Sequence, residues 1–423
     1  MIHVSPYRRV SVRSAIVGLA MIAASLTAAD WPQFLGPDRN GISPEKGLAR
    51  TWPEGGPKVL WTFDLGPGFG GPAIVGGKVY FLDRIVDKDQ DAIRCLDLAT
   101  GKEDWSLTYD APGKVDFTGP RGTPTVDGKR LFVVGPFGHF TCVDLATHKI
   151  AWTKNLLTDF TTKLPMWGVS QSPVLYKDWV IVAPQSRTVG LVAYKQDTGE
   201  EVWKSPSIGP MSYVSPALLQ LGGVAQAVMI THDSTISGIA ADDGKKLWSF
   251  KGSWKNNIPI PSVTAIGDGR LFVTGGYDCG SMMIKVEKQG DAFAATEVFA
   301  VKEYGSILHN ALLYQNHLYL NCTTKTKTDG LVCLDLDGKL KWKTDKAPNF
   351  EKGCILLADG LILALDGNTG ALALAEASPD SYKELARAKV LDGKGKTVWA
   401  PMALSDGKLI VRDQKQMKCL AVK

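Results

Sequence analysis

The residues best suited to chemistry in this 423-residue chain are few and scattered. Asp87, Asp89 and Asp91 alternate through Asp87-Lys88-Asp89-Gln90-Asp91, as the first ligands of a Ca²⁺ loop would. Such a loop also needs a glycine at its sharp turn and a distant bidentate glutamate. Neither follows, so the run reads as a solvated hairpin tip. His139, His148, His232, His309 and His317 never fall at the i, i+4 spacing of a zinc-binding helix. Thr231-His232-Asp233-Ser234 contains the residue types of a catalytic triad, but neighbours in sequence do not have triad geometry, and a hairpin turn accounts for them. A Gly-x-Ser-x-Gly elbow and a phosphate loop are both absent. Of seven cysteines, no two are adjacent. Cys95, Cys142, Cys333 and Cys419 recur at one repeat position and read as small buried hydrophobes; Cys279, Cys322 and Cys354 leave room for one bridge.

The elements that would carry these residues are set by a repeat. Cys95 to Trp105 (CLDLATGKEDW) returns as Cys142 to Trp152 (CVDLATHKIAW), Val192 to Trp203, Ile239 to Trp248 and Cys333 to Trp342. The closing positions are Trp61, Trp105, Trp152, Trp203, Trp248, Phe299 and Trp342, with the aromatic lost in a strand around Val390. Eight openings precede them, among them GPAIVGGKVYFL from Gly71 and APMALSDGKLIVR from Ala400. Their period-2 alternation and Gly-Gly or Asp-Gly turns predict antiparallel hairpins. Eight four-stranded units that cannot bury both faces alone, packed radially, make an all-β, eight-bladed β-propeller. Met417 to Val422 repeats a third strand with no closing strand after it, and Val59 to Leu65 is a closing strand with no opening. Pairing them closes the ring between the N- and C-terminal ends. The propeller domain is then 59–423, preceded by an arm over 30–58. Each closing Trp is expected to lie beneath the Gly of the turn before it, against the next blade, where its ring buries about 150–250 Å². These tryptophans are docking residues rather than ligand stackers.

The loops before the innermost strands converge on the mouth of the central channel. They carry Arg121, Trp167, Gln171, Tyr213, Asn256, Asn257, His309, Asn310 and Trp399. Aromatics mixed with amide and guanidinium donors suit a recognition surface. The alternative is that the same residues pack and hydrogen-bond the narrow neck of the ring.

Ala/Leu-Asp-x-x-Thr-Gly-Lys-x-x-Trp, present from Leu96 to Trp105, resembles the docking signature of pyrroloquinoline-quinone-like repeat propellers, over nearly all of the mature chain. That superfamily includes the quinoprotein alcohol dehydrogenases and BamB, the propeller lipoprotein of the outer-membrane assembly machinery. DWPQFLGPDRNGIS from Asp30 and EASPDSYKELARAKVL from Glu376 resemble a secreted BamB-like branch of planctomycete-type bacteria, although Leu35 stands where that branch usually carries Arg. The quinoprotein side of the resemblance implies pyrroloquinoline quinone held over Ca²⁺, with a vicinal Cys-Cys disulfide and carboxylate and Asn ligands. This chain has no adjacent cysteines, and its closing positions are only 43 to 51 residues apart, which leaves no insertions for a cofactor chamber. The expectation is therefore a non-catalytic scaffold without a cofactor, binding a protein or peptide in the cell envelope. A quinone-dependent dehydrogenase with pyrroloquinoline quinone and Ca²⁺ is the alternative.

Residues 1–29 read as a secretory signal peptide: Arg8, Arg9 and Arg13, an apolar run from Ala15 to Leu26, and small residues at Thr27-Ala28-Ala29. Arg8-Arg9 fits a twin-arginine address poorly. No Cys stands near the cleavage point for lipid attachment, and no later segment is long and apolar enough to span a bilayer. The expected location is periplasmic or secreted, as a monomer. Removing the leader's three Arg from 48 basic residues leaves 45 against 43 acidic ones, a near-neutral surface that argues against nucleic-acid partners. Late in the chain, Ser378-Pro379 resembles a helix start, and Tyr382, Leu385 and Ala386 share one helical face, predicting a short helix over 379–388.

Overall fold

The computed structural model describes residues 29–323, 328–393 and 397–423. All but the last residue of the expected signal peptide lie outside them. The alternating segments form eight antiparallel sheets arranged as the blades of a propeller. Blade 1 runs outward from the channel through Ala73–Val75, Lys78–Ile85, Gln90–Asp97 and Glu103–Asp110. Blades 2 to 8 repeat the plan from Thr125, Val174, Ala217, Thr264, Leu312, Ile355 and Ala403. Middle strands such as Leu361–Leu365 are wholly buried, because neighbouring blades cover both of their faces. Outer strands such as Glu103–Asp110 alternate in exposure.

The repeat motif has a local cause. The Asp97 carboxylate accepts hydrogen bonds from the backbone N–H groups of Ala99 and Thr100 and from the Thr100 hydroxyl, and Gly101 then turns the chain at φ +70°. Asp144 holds Ala146 and Thr147 in the same way.

The closing tryptophans dock between blades, with one correction to the sequence-based expectation. Where a turn glycine lies above the ring, it belongs to the turn of the following blade, not to the turn before the Trp. Trp61 lies under Gly101, Trp152 under Gly199 and Trp203 under Gly244, where a Cβ would stand 2.5, 2.7 and 2.5 Å from the indole. Their Nε1–H groups donate to the carbonyls of Leu98, Gln196 and Ala241 at 2.8, 3.0 and 3.1 Å. Trp105 stacks instead on His148, 5.2 Å away, which takes the left-handed turn position at φ +53°. Trp248 donates to Gln226 Oε1 within its own blade. In the register, Cys95, Cys142, Cys333 and Cys419 pair with Trp105, Trp152, Trp342 and Trp61. All seven cysteines are thiols, and all but Cys279 are buried.

Blade 8 is built from both ends of the chain, as the sequence predicts. Val59–Asp64 pairs antiparallel with Gln416–Ala421, placing Trp61 opposite Cys419. The seam is extended by Leu65 N–H to Lys415 O and by Gln414, whose amide both accepts from Gly68 N–H and donates to Gly68 O.

The arm before Val59 is threaded through the ring. Trp31 exchanges two backbone hydrogen bonds with Ile74 of blade 1, and Val126 of blade 2 donates to Pro32 O. The Arg39 guanidinium donates to the carbonyls of Pro173 and Pro216, which lead into blades 3 and 4. Gly41 abuts Leu312 of blade 6 at φ +75°, and Ile42–Ser43 adds a parallel strand inside Ile355–Ala358 of blade 7. Gly407 N–H then reaches Glu45, and Ala49 N–H reaches Val422 O, both on blade 8.

The helix expected over 379–388 does not form. Glu384–Lys389 is a strand paired with Ala371–Glu376. A helix of ten residues is marginal by itself, whereas blade 7 needs a fourth strand to cover its third. The loop before it does the work of the missing Gly turn: Trp342 donates to Ser378 O at 2.9 Å and packs on Tyr382, 5.9 Å between ring centroids.

Candidate binding site at the channel mouth

The loops entering the inner strands enclose a cup of about 310 Å³. Of the nine residues expected at the mouth, Arg121, Trp167, Tyr213, His309 and Trp399 line it. The other four do not. Gln171 is clipped to blade 3, donating to Ala183 O at 2.7 Å and accepting from Ala183 N–H at 2.6 Å. Asn310 ties blade 6 to blade 5 through both backbone groups of Ser262. Asn256 is fully buried and accepts from Ile258 N–H, while Asn257 is exposed to solvent outside the cup. Amides near the axis thus satisfy the crowded backbone, as the packing alternative requires, and the aromatic and cationic residues face the cavity.

Sequence reasoning missed Phe34, Phe69, Phe117, Tyr277 and Lys352, which line the cup together with smaller residues such as Ser172 and Ser215 and aliphatic ones such as Ile307. Phe69, within Gly-Pro-Gly-Phe-Gly-Gly, was the most legible, because a lone aromatic among turn residues at a loop tip has little else to pack on. Phe34 was not legible, since it reaches the cup only through the path of the arm.

The walls form two aromatic groups. Trp399 lies 5.7 Å from Phe69 and 5.4 Å from Phe117, and Trp167 lies 5.2 Å from Tyr213. Two cations stand over this surface, Arg121 5.6 Å above Phe69 and Lys352 4.8 Å above Trp399. Arg121 donates to the carbonyls of Asp116, Phe117 and Gly119, with no carboxylate partner among the described residues. Burial pulls its pKa down to about 10, so it stays charged at neutral pH. Lys352 pairs with Glu351, whose other oxygen accepts from Trp399 Nε1 at 2.9 Å. Burial lowers His309 to about 4, leaving it neutral at pH 7, and its Nε2 lies 3.2 Å from Lys352 O. Among the described residues no Asp, Glu or Asn lines the cup.

Elsewhere the chemistry-bearing residues are absorbed by structure. Asp87 and Asp89 are exposed at a hairpin tip, but Asp91 is not solvated as expected: it is fully buried and meets Arg84 at 3.2 Å. Burial raises Asp91 to about 6 despite that partner. In the 231–234 turn, Thr231 donates to Asp233 and Ser234 donates to Asn256 O, so no nucleophile–base pair forms. Among the described residues no group of three or more His, Cys, Asp or Glu is placed to hold a metal ion.

Fold and site together define a propeller of the quinoprotein repeat type with an aromatic, cationic cup at its channel mouth. The model of the family described as outer membrane protein assembly factor BamB matches residues 50–161 and 138–300, more than half of the chain, and the chain belongs to that family. No curated protein sequence matches it. Among solved structures it is similar to a europium-containing methanol dehydrogenase (TM-score 0.62, 14% identity, covering 92% of this chain and 88% of that one). It is also similar to the quinohemoprotein alcohol dehydrogenase of Comamonas testosteroni (TM-score 0.61, 14% identity, 93% and 80%). The BamB of Moraxella catarrhalis aligns with a TM-score of 0.58 at 13% identity, covering 86% of this chain and 97% of that one. At such identities the likeness is one of fold. The dehydrogenase fold implies a quinone over a cation, and the cup does not fit that pair. Ca²⁺ takes six to eight oxygen ligands, whereas no carboxylate lines the cup among the described residues, and Glu351, beside the lining Lys352, is engaged by Lys352 and Trp399.

Proposed function

We propose that this protein is a non-catalytic scaffold of the cell envelope that holds a protein or peptide partner at its channel mouth, in outer-membrane protein assembly. The observation that carries this reading is the composition of the cup: aromatic anchors and two cations, with no carboxylate in its lining among the described residues. Rigid aromatic and Arg side chains are the groups that dominate protein recognition. Membership of the BamB family supports the assembly role, and export by the N-terminal leader would bring the protein to its partners.

The test is capture of envelope proteins by the purified chain and by Arg121→Ala, Trp167→Ala and Trp399→Ala. Each substitution is expected to weaken capture by about 2 kcal/mol while leaving the fold intact. Capture indifferent to all three would move the surface away from the mouth. Incubation with pyrroloquinoline quinone and Ca²⁺ is expected to give neither a stoichiometric bound-quinone spectrum nor dye-linked alcohol oxidation; turnover would replace the scaffold reading with the dehydrogenase one.

A further inference from the structure

The loop over residues 112–120 forms part of the cup wall and is fastened by a guanidinium at each end. At its exit Arg121 donates to the carbonyls of Asp116, Phe117 and Gly119. At its root Arg84 Nη1 donates to Ala111 O at 2.8 Å. The loop sets Phe117 5.4 Å from Trp399 and presses Gly113 against Phe137, and the Arg84 guanidinium lies over that same Phe137 ring, 5.5 Å from its centroid. Arg84, Asp89, Asp116 and Phe137 also line a cleft of about 570 Å³ that shares no lining residue with the cup.

Arg84 is held in place by charge. Only 4% of its side chain is exposed, and the Nη1 that holds Ala111 O also meets Asp91 Oδ1 at 3.2 Å, a carboxylate with no exposure at all. Its Nη2 meets Asp89 at 2.8 Å, a carboxylate 65% exposed. One nitrogen thus carries both a buried ion pair and the root of the loop. The other groups around Asp91 offer it no second cation. Asp83 and Arg94 of the flanking strands are paired with each other, and Arg94 also with Glu103. Tyr109 is the register partner of Asp91, and its hydroxyl and Asp91 Oδ2 both abut Gly135 of blade 2. His139 of blade 2 stands 5.2 Å from the Tyr109 ring, while Lys114 and Asp116 are exposed on the loop itself. Removing one charge of a buried pair leaves the other uncompensated, at a cost that drives the survivor toward solvent or another partner. Asp89 and the cleft provide both. A neutral Asp91 therefore turns Arg84 toward Asp89 and takes its Nη1 off the Ala111 carbonyl.

We propose that Arg84 and Asp91 form a proton-operated latch on the loop over residues 112–120, holding Phe117 and Arg121 in the cup wall while Asp91 is ionised and freeing them when it takes up a proton from solvent. The latch acts on the wall whatever the mouth holds. Burial raises the Asp91 carboxyl from 3.8 to about 6, which puts the change just below neutrality. The folded chain then takes up this proton between about pH 6 and 3.8, where the unfolded chain does not, so the uptake itself stabilises the fold. Release of the loop is a local opening and not the onset of acid unfolding.

The test is hydrogen exchange of the full mature chain at about pH 7.5 and about pH 5, each rate divided by its intrinsic value. Three amides report on the loop: Ala111 N–H, bonded to Asp89 O, and Phe69 and Gly70 N–H, both bonded to Pro120 O. Their exchange is expected to quicken about tenfold at the lower pH, with a midpoint near 6, while Leu361–Leu365 does not change. Asp91→Asn, neutral at every pH, is expected to exchange at the faster rate under both conditions. Asp89→Asn removes the second anchor for Arg84 and is expected to move the midpoint lower. Equal protection at both pH values would overturn the latch. So would a pH dependence that survives in Asp91→Asn, which would belong to His139, or a midpoint unmoved by Asp89→Asn.

Discussion

His309 sits at the mouth with 7% of its surface exposed, and its neutral ring is held by Lys352 O. Burial depresses its pKa from 6.5 to about 4 in the folded chain. As pH falls below about 6.5, the unfolded chain takes up a proton that the folded chain refuses. The stabilisation is therefore complete above 6.5 and is lost progressively down to about 4. Between pH 7 and pH 4.5 the wild-type protein is expected to lose about 2 kcal/mol more stability than His309→Gln, measured by chemical denaturation at both pH values. Equal losses would remove His309 from the acid limb. The cysteines give a second residue-scale test. Six are buried, and burial pushes Cys95, Cys142, Cys354 and Cys419 up to about 12. Denatured, unreduced protein is expected to titrate all seven thiols, and the native protein few or none on the same timescale. A count short by a pair would reveal a disulfide. The side-chain roles were only partly legible: an aromatic at a loop tip can be read from sequence, but whether Gln171 or Asn310 faces a cavity or clips a neighbouring strand depends on a partner distant in the chain.

At the scale of elements, the inter-blade joint is a single unit of Trp, carbonyl and glycine. Gly244 meets the Trp203 ring at φ +74°, so a side chain there is both strained and obstructed. Trp203→Ala is expected to cost about 3 to 5 kcal/mol in equilibrium unfolding. A cost below about 1 kcal/mol would mean that blades 3 and 4 are held chiefly by their other core contacts. The seam differs because it joins strands from opposite ends of the chain. Truncation after Gln414 removes Gln416–Ala421, strips Val59–Asp64 of its partner and opens blade 8. The melting temperature is expected to fall by about 10 °C or more. An unchanged melting curve would show that the ring does not depend on this closure. The failed helix over 379–388 belongs here too. Its local pattern is genuinely helical, and it lost to the unpaired edge of Ala371–Glu376, a demand invisible in a short window.

For the whole molecule, the arm is the part that sequence reasoning understood least. Asp30 accepts a hydrogen bond from Gly76 N–H, and Trp31 is buried between blade and arm. Export with cleavage before Asp30 would keep every one of these contacts. The mature chain, weighed by intact-mass spectrometry, is expected to begin at or before Asp30; a start beyond Trp31 would mean the arm is not anchored as described. The sequence by itself determined the blade count, the hairpins, the docking tryptophans and the closing of the ring. Each of these is written in a local period or in a copy of the same motif, and repeated burial demands repeat the same residue types. Only the tertiary structure decided that the glycines over Trp61, Trp152 and Trp203 belong to the next blade, that the arm bonds to the inner strands of successive blades, and that Phe34 and Lys352 share a cup with Arg121 and Trp399. Those are contacts between segments far apart in the chain. They arise from ring closure and the path of an irregular segment, which no local periodicity encodes.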